Sequence, residues 1–127
     1  MNAIVVDDSR AMRRIIAKLL LELGFEVHEA ASGLEALMLA EKLEGLSLVL
    51  LDWNMPEMDG LEVLSLIRTE TAYKNVRVMM VTTESEMSRV ATALEAGASE
   101  YLMKPFDREA LLEKLILLGM DPSTRTL

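Results

Sequence analysis

Residues 3–6, 48–51 and 78–81 are apolar at every position. A strand with one face in water alternates apolar and polar side chains. Unbroken apolar runs of this length suit strands covered on both faces. Weaker runs fall at 27–30 and 101–103. Between the runs the spacing turns helical. Ile15, Ile16, Leu19, Leu20 and Leu23 form an apolar stripe ending at Gly24, a suitable helix C-cap. Leu34, Leu37, Met38 and Glu41 mark a second helix behind Ser32-Gly33-Leu34-Glu35, which reads as a capping box, and Asp59-Gly60-Leu61-Glu62 opens a third in a similar way. Met87, Val90, Ala91 and Leu94 mark a fourth, stopped at Gly97, and Ala110, Leu111, Leu115 and Leu118 a fifth, stopped at Gly119. The order βαβαβαβαβα with short connections predicts an α/β fold, a parallel sheet with helices on both faces.

The commonest strand order for such a chain is 2-1-3-4-5, the flavodoxin-like arrangement. The 127 residues suit one domain, read as residues 1–120 with a polar tail at 121–127. The chain has no Cys, which removes disulfides, thiolate metal sites and cysteine nucleophiles. Asp and Glu outnumber Lys and Arg by 21 to 13, a net charge of −8 that repels a phosphate backbone, so direct nucleic-acid binding is not expected. Neither a secretory leader nor an apolar run of the ~20 residues needed to cross a bilayer is present, so a cytoplasmic protein without a membrane partner is expected.

The residues just after each apolar run are more informative. Strand one ends in Asp7-Asp8, strand three in Asp52, strand four in Thr82-Thr83 and strand five in Lys104-Pro105. A parallel sheet gathers all its carboxyl ends at one edge, and ligands bind there where the strand order reverses, here between strands one and three. Three carboxylates held together repel, and a divalent cation relieves the repulsion. Oxygen ligands without His or Cys favour a hard ion, Mg²⁺ foremost. Mg²⁺, a lysine and a hydroxyl donor together suit a phosphoryl group. Singly, these residues have ordinary readings: Asp7-Asp8 as a turn and cap, Asp52 as a loop acid, Thr82 as a cap and Lys104 as a solvated lysine. Their coincidence at strand ends favours the site.

These residues, with the stretch from Asp52 through Asn54, Met55 and Pro56 to Asp59-Gly60 and with Ala96-Gly97-Ala98-Ser99, resemble the receiver domain of two-component response regulators over essentially the whole chain. The similarity is greatest to its single-domain chemotaxis members. The resemblance implies that Asp52 accepts a phosphoryl group from a phosphohistidine on a histidine kinase or phosphotransfer protein, or from a small phosphodonor. It implies Mg²⁺ held by Asp8 and Asp52 directly, by Asp7 through water and by the Asn54 backbone carbonyl. Lys104 pairs with the phosphoryl oxygens, Thr82 moves to bond them, and Tyr101 turns inward behind it. Asn54 and Glu84 tune water attack and imply a short-lived mark. The peptide bond before Pro105 is expected to be cis. A downstream protein binds the phosphorylated form through helix four, strand five and helix five, on a face including Met87, Val90, Tyr101 and Lys114. Met87 stands where the chemotaxis members carry lysine.

The chain is thus expected to be no enzyme beyond its own phosphorylation and dephosphorylation. A Mg²⁺-dependent aspartyl phosphatase is an alternative, but such enzymes carry a second Asp two residues after the nucleophile, where this chain has Asn54. A receiver fragment lacking its output domain is another, and a structural interaction domain a third. His28 is assigned a structural or solvated role. Most of the 10 Met residues, including Met38, Met79, Met80 and Met103, are assigned to the core, and Trp53 is placed beside the metal.

Overall fold

The computed structural model describes residues 1–120. The elements run β1 (Asn2–Val6), α1 (Arg10–Glu22), β2 (Glu26–Ala30), α2 (Gly33–Lys42), β3 (Leu46–Asp52), α3 (Gly60–Thr69), β4 (Arg77–Thr82), α4 (Val90–Glu95), β5 (Glu100–Met103) and α5 (Arg108–Leu117). Short 3₁₀ turns at Thr71–Tyr73 and Glu84–Arg89 precede β4 and α4. The five strands form one parallel sheet in the order β2-β1-β3-β4-β5, as expected.

The unbroken apolar runs have a direct cause. Successive side chains of a strand leave opposite faces, and here both faces are covered. Ile4, Val6, Val49, Leu51, Val78 and Met80 pack with Val63, Leu64 and Ile67 of α3 and Ala93 of α4. Ala3, Val5, Leu48, Leu50, Met79 and Val81 pack with Ile16 and Leu20 of α1 and Leu111 and Leu115 of α5. Side-chain caps start α1, α2, α3 and α5: the Ser9 hydroxyl accepts from Met12 N at 3.3 Å, Ser32 from Glu35 N at 3.2 Å, Asp59 from Glu62 N at 3.0 Å and Asp107 from Ala110 N at 2.9 Å. Glu35 returns its carboxylate to Ala31 N at 3.3 Å, one residue before the cap.

Several stripe residues lie differently from the sequence expectation. On α2 the sheet-facing side is Gly33, Ala36 and Ala40, while Leu34 and Met38 are exposed. A Cβ on Gly33 would collide with the Val63 side chain, so the start of α2 approaches α3 too closely for a large side chain there, and Leu37 and Leu39 pack against the core only in part. Ile15, Leu94 and Met103 are also exposed, so Met38 and Met103 are not core residues, whereas Met79 and Met80 are. Helix four is shorter than its stripe, because the chain from Glu84 to Arg89 winds as 3₁₀. His28 sits mid-strand on β2, opposite Ile4, with Nε2 3.1 Å from Asn2 Oδ1. The tail expectation at 121–127 lies outside the described residues.

Candidate functional site

Register delivers the acids. Val6 pairs with Ala30 on one side and Leu51 on the other, so Asp7 and Asp8 leave β1 beside Asp52, the last residue of β3. One carboxylate oxygen from each of Asp7, Asp8 and Asp52 lies within 4.8 Å of the others. Asp7 and Asp52 are buried and Asp8 is exposed. Asp7 is held tightly: its Oδ1 accepts from Ser9 N at 2.8 Å, and its carbonyl accepts from the Arg13 guanidinium at 2.8 Å. Arg13 is itself steadied by Glu29, 3.1 Å away on β2.

Lys104 closes the cluster from the far side of the sheet. Its Nζ lies 3.1 Å from Asp52 Oδ1 and 3.4 Å from Asp7 Oδ2. Its backbone N donates to Thr82 O at 2.7 Å, tying the end of β5 to the end of β4, and the Lys104–Pro105 bond is cis. Burial, then the neighbouring charge of Asp7, pushes the Asp52 carboxyl from 3.8 up to about 6; Lys104 restrains the rise and Asp8 adds to it. Burial works to lower the Lys104 ammonium, but the charges of Asp52 and Asp7 outweigh it and the net direction is upward.

One lysine cannot neutralise three carboxylates. The surplus of negative charge, the all-oxygen donor set and the raised Asp52 fit a hard divalent cation seated opposite Lys104. Such an ion and Lys104 would leave the cluster able to accept a dianionic group.

Thr82, the last residue of β4, is fully buried, and its hydroxyl lies 3.8 Å from Met87 Sδ. Tyr101 on β5 is half-buried and helps line a small hollow with Met80, Val90, Ala93 and Ala98. Lys114 of α5 lies 4.1 Å from the centre of the Tyr101 ring and 3.0 Å from Glu100 Oε1. Of the residues assigned to a partner face, Val90 is thus buried, Met87 and Tyr101 are half-buried and Lys114 is paired. Asn54 and Glu84 are exposed, each two residues beyond a site residue. Trp53 is buried beneath Arg89, whose guanidinium carbon lies 5.2 Å from the ring centre.

Sequence reasoning passed over Glu86 and Arg68, and named Gly60 only as part of a helix start. Glu86 is buried and closes a capping box on Thr83, its Oε1 accepting from Thr83 N at 2.8 Å and from the Thr83 hydroxyl at 3.0 Å. The Thr-x-x-Glu spacing was the available signal. At Gly60 an added Cβ would lie 2.6 Å from the Asp52 carbonyl oxygen, so glycine is what lets α3 start against the end of β3. Arg68 ties α3 to the α4–β5 connection, donating to Gly97 O at 2.8 Å and Tyr73 O at 3.0 Å, and nothing local in the sequence announces it.

Comparison with known proteins bears on the family and the fold. The family pattern described as response regulator receiver domain matches residues 3–116. The chain is 47% identical over 116 residues to the chemotaxis protein CheY homolog of Campylobacter jejuni, covering 91% of this chain and 89% of that one. It is 43% identical over 121 residues to the chemotaxis protein CheY1 of Helicobacter pylori, covering 94% and 98%. Among solved structures, the chemotaxis response regulator CheY4 of Vibrio cholerae superposes with a TM-score of 0.84 at 35% identity, over 92% of this chain and 97% of that one.

Proposed function

The chain belongs to the response regulator receiver domain family, and on that premise we propose that it is a phosphorylation-driven switch of a two-component chemotaxis pathway, with Asp52 as phosphoryl acceptor. The observation that carries this reading is the convergence of Asp7, Asp8 and Asp52 within 4.8 Å, with Lys104 spanning Asp7 and Asp52. No other group of acids with metal-ligand spacing occurs among the described residues.

Asp8 and Asp52 would hold Mg²⁺ directly, with Asp7 acting through water and the Asn54 backbone carbonyl contributing a further oxygen. When bound, the ion neutralises charge on the transferring phosphoryl oxygens. An Asp52 carboxylate oxygen attacks the phosphorus of a phosphohistidine on a histidine kinase or phosphotransfer protein. The new O–P bond forms as the N–P bond breaks, and the imidazole leaves to take up a proton from solvent. Lys104, already within reach of Asp52, follows the charge onto the phosphoryl oxygens. Acetyl phosphate serves the same role in vitro.

The acyl phosphate offers oxygens where a carboxylate stood, and Thr82 exchanges its Met87 contact for one of them. Tyr101 then packs deeper into the hollow beside Val90 and Ala93. The state that makes these contacts is favoured by its differential bonding to the phosphoryl group, and a protein target binds it through α4, β5 and α5. Asn54 and Glu84 flank the path of the hydrolytic water and keep the mark short. Asn54 lacks the carboxylate an aspartyl phosphatase uses there, so the chemistry is limited to the protein's own phosphorylation and its reversal in the cytoplasm.

Mass spectrometry of protein incubated with acetyl phosphate and Mg²⁺ tests the assignment. One phosphoryl group is expected on Asp52, decaying within minutes after donor removal, and none on Asp52→Asn. Labelling of that variant at the same rate would sink it.

A further inference from the structure

Helix α2 buries its small residues and exposes its large ones. Gly33, Ala36 and Ala40 face inward, while Leu34 is 62% and Met38 51% exposed. Leu34 and Met38 are one turn apart on one face, with Leu37 half-buried between them and the core. Across from them on α3, Leu66 is 43% exposed. The two helices bound a groove of about 260 Å³ lined by Leu37, Leu66, Ala72 and Tyr73. Contiguous apolar surface of this kind marks an interaction site more often than isolated exposed leucines do.

The charges around the groove select its occupant. Glu41 and Glu70 line it, and Glu62 is exposed on α3 within one turn of Leu66. Lys42 on α2 and Lys74 in the turn before β4 stand near the groove but do not line it, and the basic residue of α3, Arg68, is turned away to bond Gly97 and Tyr73 carbonyls, so the charged lining is Glu41 and Glu70 alone. A second copy of the chain would bring the same glutamates and a further net charge of −8, and an anionic bilayer would be repelled likewise.

We infer that the α2–α3 groove is a docking surface for a cationic amphipathic helix of a partner protein. Leucine-type side chains at i, i+3, i+4 and i+7 fill the groove between Leu37 and Leu66, beside the exposed Met38, and lysines or arginines meet Glu41 and Glu70. The groove opens among the carboxyl ends of α2 and α3 and the turn before β4, toward the amino edge of the sheet. Asp52 lies at the opposite edge. Docking here is therefore independent of the phosphorylation state and leaves α4, β5 and α5 free for a state-dependent target. One partner can hold the switch while another reads it.

The test uses the full chain and a synthetic helix-forming peptide of leucine and lysine, with the leucines at i, i+3, i+4 and i+7. A scrambled peptide of equal composition is the control, and amide NMR shifts report the site. The expected result is shifts confined to α2 and α3, identical for Asp52→Asn, and weak or absent for the scrambled peptide. Met38→Glu and Leu66→Glu should each weaken binding about tenfold, while Leu117→Glu on the exposed end of α5 changes nothing. Unchanged circular dichroism and acetyl phosphate labelling of the variants show that the fold and the Asp52 chemistry are retained. Equal binding of the scrambled peptide, shifts on α5 or scattered over the surface, or a Met38-dependent dimer without peptide in sedimentation would each overturn the proposal.

Discussion

The Asp52 carboxyl carries a cost that is visible without any bound cation. Burial and Asp7 raise it to about 6, so between 3.8 and that value the folded chain binds a proton that the unfolded chain has released. Its stabilising share is therefore complete below 3.8 and is lost as pH rises through about 6. Asp52→Asn has no charge to bury. In chelator the variant should be more stable than the parent at pH 7.5, by on the order of 3 kcal/mol, and this advantage should vanish near pH 3.5. Thermal melts at the two values check it, and an advantage that grows on acidification would contradict the sign. A second single-residue effect concerns the Thr82 hydroxyl, 3.8 Å from Met87 Sδ. Met87→Leu keeps the volume but removes the acceptor, which lowers the cost of moving Thr82. Beryllofluoride, a phosphoryl mimic, should bind this variant about two- to fivefold more tightly, since one weak hydrogen bond is worth at most about 1 kcal/mol. Weaker binding in a fluorescence titration would show that Met87 instead supports the activated state.

At the scale of elements, the connection from β3 to α3 holds two backbone constraints of opposite consequence. Glu57 adopts a φ of 67°, a left-handed conformation that asparagine accepts more readily than glutamate. Glu57→Asn should raise stability by about 0.5–1 kcal/mol, read as an increased urea midpoint with an unchanged slope. Gly60 is constrained by space alone, since a Cβ there would press on the Asp52 carbonyl. Gly60→Ala should cost about 1–3 kcal/mol and also slow acetyl phosphate labelling, because the group displaced is the backbone of the acceptor. Loss of stability at full labelling rate would separate α3 docking from Asp52 placement. The start of α3 was readable from Asp59 and Gly60, because a cap followed by a small residue is a local signal. The orientation of α2 was not. Leu34, Leu37 and Met38 have helical spacing, but so do Gly33, Ala36 and Ala40, and periodicity cannot say which stripe is inside when the neighbouring helix stands too close for large side chains. The 3₁₀ winding from Glu84 to Arg89 escaped for a related reason: the Thr83–Glu86 box fixes that turn, and an apolar stripe does not report winding.

At the scale of the whole molecule, the site exists because a parallel sheet brings Asp7, Asp52, Thr82 and Lys104 to one edge although they are far apart in the chain. This was legible because the runs 3–6, 48–51 and 78–81 within β1, β3 and β4 are apolar at every position, which points to a sheet covered on both faces and hence to the edge. The depth of burial of Asp7 and Asp52 and the double reach of Lys104 were not legible, since they depend on packing between elements rather than on pattern. That packing would couple the fold to the proposed cation. A ligand that binds only the folded state adds RT ln(1 + [L]/Kd), about 2.7 kcal/mol at a hundredfold excess over Kd. Mg²⁺ at that excess should therefore raise the melting temperature at pH 7.5 by several degrees, with Trp53 fluorescence reporting the same Kd. A proton on Asp52 excludes the ion from that oxygen, so the affinity should fall about tenfold per unit as pH drops below about 6 and level off above it. Asp8→Asn removes a proposed ligand and a minor source of repulsion on Asp52 and leaves the buried core untouched, so in chelator it should melt at or slightly above the parent, and it should gain little from Mg²⁺. If instead Mg²⁺ stabilises that variant as much as the parent, or if affinity shows no inflection near pH 6, the ion is held elsewhere and the link between sheet edge and metal fails.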